Sequence, residues 1–132
     1  MLGIASAAAW APTMQYDDLA YHLGLPWQLM LHGRYAPDPG QQVWSLAPWA
    51  GDIWQALPQV LARSEARSAV NLGWLLATGA GLWRLGTLVG LRPAFCWATV
   101  ALYATLPMTA MLLGGMQTET AGAATMVWLA VL

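Results

Sequence analysis

The sequence predicts an all-α chain that crosses a membrane more than once, and three observations carry that expectation. Of its 132 residues, 58% are hydrophobic and only 8% are charged, whereas soluble domains are usually about a quarter charged. Two long apolar runs, 69–91 and 93–113, reach the roughly 20 residues that a helix needs to cross a hydrocarbon core. Nine Trp suit a membrane interface, where the ring meets lipid and the N–H meets water. Mean hydropathy is +0.49 and no Lys occurs. A net charge of −1 offers nothing to nucleic acid. Cys96 stands alone in an apolar run, so neither a disulfide framework nor a Cys-type metal cluster is available.

Residues 1–13 are apolar but too short to span, and they lack the basic start of a signal peptide. They read as the outer end of a truncated transmembrane helix. Residues 14–68 are mixed and hold five of the six acids, three of the five Arg and both His. This stretch reads as an outer loop carrying two juxtamembrane helices. The first covers about 17–32, with Gly24 and Pro26 bending it and Leu19, Leu23, Trp27 and Met30 giving an apolar face. Residues 33–51 are rich in Gly and Pro and read as loop. Asp52 then serves as a helix cap, and Ile53, Leu57, Val60 and Leu61 form the second apolar face. Both helices are expected to lie in the interface plane.

The run 69–91 is expected to span, with Arg84 near one end reaching the headgroups. Leu91, Arg92 and Pro93 make a turn, and 93–113 forms a second span kinked near Pro107. Residues 114–119 return to the outer side, and 120–132 begin a third, truncated helix. Arg84 and Arg92 flank a turn without acids, which the positive-inside rule places in the cytoplasm. Two crossings then bring Asp17, Asp18 and Glu119 to one face of the membrane.

Asp17, Asp18, Tyr21 and His22 form the densest polar group. On a helix, Asp17 shares a face with Tyr21, and Asp18 with His22. A carboxylate beside an apolar interface can act as a base. Two adjacent carboxylates can also help hold a divalent cation such as Mg or Mn, or simply answer the positive end of a helix dipole. Glu119 either joins them or is merely hydrated at the membrane edge. Asp38 reads as a solvated loop residue. His32 and Arg34 either meet the negative end of the first helix or bind an anionic phosphate.

The run from Tyr16-Asp17-Asp18 to Gly24-Leu25-Pro26, followed by His32-Gly33-Arg34-Tyr35, resembles the first outer loop of polytopic C-type glycosyltransferases. These include relatives of the protein O-mannosyltransferases and aminoarabinose lipid A transferases. Pro48-Trp49-Ala50-Gly51-Asp52 is similar to that family's second juxtamembrane entry, and Pro107 through Glu119 to its later segment of a Pro, an acid and an apolar helix. The resemblance covers nearly the whole chain but only the N-terminal third of such an enzyme. It implies sugar transfer from a polyprenyl-phosphate-linked donor to a lipid, glycan or protein acceptor. The reaction would take place at the outer face of a bacterial plasma (inner) membrane. It further implies catalytic roles for Asp17, Asp18 and Glu119, with Asp17 as the base toward the acceptor. Substrate contacts fall to Tyr21, His22 and Arg34, and a divalent cation helps some members. Asp18 stands where the family usually has Glu, and Glu119 where it usually has Asp.

A transporter or channel segment, or a non-catalytic membrane assembly subunit, is the competing expectation. Transporters place key acids near the midplane beside broken helices, whereas the acids here sit at segment ends.

Overall fold

The computed structural model describes residues 13, 15–36, 38, 40, 50–116 and 118–132, without the side chains at 20 and 21. The expected span end at 1–12 and the whole of 41–49, part of the expected loop and including the Trp at 44 and 49, lie outside the described residues. Within them every regular element is a helix. A π-helical turn covers Asp18–His22 and leads into α1, Gly24–His32. There follow α2 (Ala50–Ala62), α3 (Arg67–Leu88), α4 (Pro93–Thr105), α5 (Pro107–Leu113) and α6 (Glu119–Val131).

The first helix is interrupted on the N-terminal side of Pro26. Pro26 has no N–H, and its ring crowds the carbonyl of His22 one turn earlier. The turn before it widens, and the Leu23 amide reaches back to the Asp18 carbonyl at 2.9 Å, five residues away. A π-bulge of this kind often marks a functional site. Helix α1 ends at Gly33, whose φ of 66° lets its N–H close on the Leu29 carbonyl at 3.0 Å.

Helix α3 is the scaffold. Gly86 near its end lies against Cys96 at the start of α4: a Cβ placed there would fall 2.8 Å from the Cys96 sulfur. Gly81 faces α6 as closely, its Cβ position lying 2.7 Å from Val127. Small residues at both contacts let backbones approach, as in membrane helix pairs. The contacts Asn71–Thr120 and Ala77–Trp128 set direction, and α3 and α6 run parallel. Helix α4 runs back between them in sequence. A small apolar core of Leu75 and Leu113, with Leu72 and Tyr103 against it, closes the middle.

Pro107 ends α4, and α5 leaves at 61°. The proline deprives the Tyr103 carbonyl of its helical partner. The Thr109 hydroxyl replaces it at 2.8 Å, and the Leu106 amide approaches the same oxygen at 3.3 Å. No single helix among the described residues is long and apolar enough to cross a membrane, although the bent pair α4–α5 qualifies jointly. Helix α3 has 22 residues, but Asn71, Arg84 and its glycines dilute the apolar run that the sequence suggests at 69–91.

Helix α2 is inside out. It buries Asp52, Gln55, Ala56 and Gln59, one face at helical spacing. Its apolar face points outward, with Ile53, Trp54, Leu57 and Leu61 at 50%, 59%, 50% and 83% exposure. The apolar periodicity is there, but the protein interior takes the opposite stripe.

Candidate functional site

The site grows from two short pieces of chain, the π-turn and the first turn of α2. Widening the helix at 18–22 turns Asp18 and His22 inward: Asp18 is completely buried and His22 nearly so. Asp17, one position earlier, stays exposed. The buried imidazole pairs through Nδ1 with Oδ1 of Asp52, itself 5% exposed. Asp52 thus lies within the first turn of α2 as an ion-pair partner, and not at the cap position expected from sequence. The sequence separation of thirty residues between His22 and Asp52 hides this partnership from any local reading.

Thr13 donates its hydroxyl to Oδ2 of Asp18. The other oxygen, Oδ1, is buried without a hydrogen-bond partner among the described residues. Burial alone would lower the His22 pKa. The hydrogen bond to Asp52 and the charges of Asp52, Asp18 and Asp17 outweigh burial, and the pKa rises above its ordinary 6.5. The imidazolium is therefore favoured inside a ring of carboxylates. Tyr35 is pushed above the usual phenol value by partial burial and by the charge of Asp52.

Glu119 is exposed in the first turn of α6. Its neighbour Thr118 presses on Gly51, where an added Cβ would come within 2.8 Å of the Thr118 Cβ. Gly51 precedes Asp52, so the start of α6 adjoins the helix turn that holds His22. Gln15 adds a second tie at this end, donating to the Met111 carbonyl at 3.2 Å and resting on Gly115. Asp17, Asp18, His22, Asp52 and Glu119 thus gather at one end of the assembly. Arg84 and Arg92 lie at the other, since Asn71 and Gly86 of α3 are roughly 22 Å apart along the axis. Arg34 is exposed beyond α1 and forms no ion pair with the cluster among the described residues. The Tyr21 side chain lies outside the described residues.

A hard divalent ion takes six or more oxygen donors. One carboxylate of the Asp17–Asp18 pair faces out and the other in, and no group of three or more ligating side chains forms among the described residues.

Beneath the cluster lies a polar hub that sequence reading passed over. Asn71, fully buried, donates to the carbonyls of Leu113 at 3.0 Å and Gly115 at 2.5 Å. Its oxygen accepts from Gln55 at 2.8 Å and from Thr120 at 3.4 Å. One turn earlier Arg67 donates to the Gly114 carbonyl, and its Nε stands 2.7 Å from Glu65. The last carbonyls of a helix have no internal partners. Here α3 supplies them for α5. A lone Asn or Arg at the edge of an apolar run is the only signal that points to such a role.

Comparison with protein-family models, with curated proteins and with solved structures gave no match to this chain.

Proposed function

We propose that the chain contributes the acidic site of an integral-membrane glycosyltransferase. Such an enzyme moves a sugar from a polyprenyl-phosphate donor to a hydroxyl acceptor at the outer face of a bacterial plasma membrane. The observation that carries this reading is the convergence of Asp17, the Asp18–His22–Asp52 cluster and Glu119 at one helix end. The resemblance of 16–35 to the first outer loop of C-type glycosyltransferases supports it. The inverted α2, with apolar side chains outward, suits a lipid boundary and would be costly in water.

In this reading Asp17, the exposed carboxylate, accepts the acceptor's proton as its oxygen attacks the anomeric carbon. The phosphate leaves with the bonding electrons. Asp18, His22 and Asp52 are positioning residues, which fix the turn that presents Asp17. Glu119 borders the same end of the assembly, and the family resemblance assigns the exposed Arg34 to the departing phosphate.

The test is Asp17→Asn in the complete membrane-embedded enzyme. Transfer is lost while membrane insertion and helical content persist. Unchanged turnover removes Asp17 as the base.

A further inference from the structure

From the middle of the molecule toward the end away from the acids, α3 and α4 enclose an open apolar groove of about 430 Å³. Leu76, Gly79, Ala80, Trp83, Trp97 and Tyr103 line it. Gly79 and Ala80 leave the space that a larger side chain would fill. Trp83 and Trp97 pack at 4.8 Å between ring centroids, tilted by 56°, and form the wall nearest the 89–92 turn. Leu76, Ala80 and Arg84 follow one another at four-residue spacing, so Arg84 continues the lining stripe one turn beyond the groove. Arg92 precedes α4 at its cap, just before the turn that carries Trp97. Both Arg are exposed.

These two cations have an unusual electrostatic setting. No Asp or Glu occurs between Glu65 and Glu119, so every residue of α3, α4 and α5 that faces them is neutral or basic. Neither takes part in an ion pair among the described residues. An apolar trough with an aromatic wall, and with two arginines just beyond it in α3 and at the cap of α4, is complementary to a molecule with a hydrocarbon tail and an anionic head.

We infer that this groove is a site for an anionic phospholipid. One acyl chain lies between α3 and α4, and the phosphodiester meets Arg84 and Arg92. Basic pockets between membrane helices recognise headgroups in this manner. Arg suits the task because its planar fork donates to two phosphate oxygens at once. The inference rests on the membrane placement given above but not on the glycosyltransferase activity.

Native mass spectrometry of the full chain, released from nanodiscs of equal parts phosphatidylglycerol and phosphatidylcholine, tests it. Phosphatidylglycerol should be retained roughly tenfold over phosphatidylcholine, and the preference should fall as salt is raised. The paired change Arg84→Gln and Arg92→Gln should erase the preference, and Gly79→Leu should displace both lipids from the groove. Equal retention of the two lipids by the unaltered chain, or a preference that survives the double Arg change, overturns the proposal. A chain–chain dimer that occupies the groove and excludes lipid also overturns it. The unaltered chain's salt dependence decides the matter even where a variant fails to fold. A chain that resists alkaline extraction yet shows no headgroup preference sinks this site alone. A chain that is extracted freely sinks the membrane placement itself.

Discussion

His22 and Asp52, thirty residues apart in sequence, meet as a buried ion pair that joins the π-turn to the first turn of α2. This contact fixes the acidic face of the molecule, because Asp18 belongs to the same turn as His22 and Asp17 immediately precedes it. Its behaviour with pH follows from its charge.

A histidine whose folded pKa exceeds its ordinary 6.5 contributes stability that is fully present below that value. The contribution is lost as pH rises through the higher folded value. Amide protection factors in α1 and α2, taken relative to the intrinsic base-catalysed rate, should therefore fall on going from weakly acidic to alkaline buffer. His22→Gln should flatten that dependence. It also strands the Asp52 carboxylate, at a cost of about 3–5 kcal/mol if no water relieves it. Protection factors that do not change with pH in the unaltered chain would remove the pair as a structural tie.

Asn71→Leu should be among the most damaging single changes. The carbonyls of Leu113 and Gly115 and the Gln55 amide lose a buried partner together. Each stranded group costs on the order of 1–3 kcal/mol. Thermal unfolding in detergent should record a loss well beyond that of Leu76→Ala on the exposed face of the same helix.

The glycines of α3 separate into two kinds. A Cβ at Gly81 would press on Val127, whereas one at Gly73 would meet nothing within 4 Å. Gly81→Val should push α6 away and destabilise by about 1–3 kcal/mol. Gly73→Ala should stabilise by up to about 1 kcal/mol through helix propensity alone. Paired unfolding curves check both signs.

Pro107→Ala restores the amide that the Tyr103 carbonyl lacks. The 61° bend between α4 and α5 should then open toward a continuous helix. Spin labels at 98 and 112 should move apart, since fourteen residues of straight helix span about 21 Å. Unchanged spacing would mean that Arg67 and Asn71, not the proline, hold the bend.

The helical class is legible because long apolar runs and three- to four-residue spacings have no strand counterpart here. The break at Pro107 is legible too, since one residue both removes a donor and blocks its neighbour. The acids at 17 and 18 stand out for the same reason of local chemistry. Asp52 does not, because the distant His22 decides its role and an Asp near a helix start has an ordinary local use. The orientation of α2 escapes as well. Periodicity gives two faces, and burial selects the polar one through Gln55 and Asn71. Asn71 sits within an apolar run with no local sign of its role, because its partners lie on three other segments.

All of those partners except Gln55 appear late in synthesis. Asn71 leaves the ribosome before the carbonyls at 113 and 115 exist, and before the Thr120 hydroxyl that meets its oxygen. The nascent chain therefore carries an unmet amide through some fifty residues of elongation, and the final arrangement around it can lock only once α6 has begun to emerge.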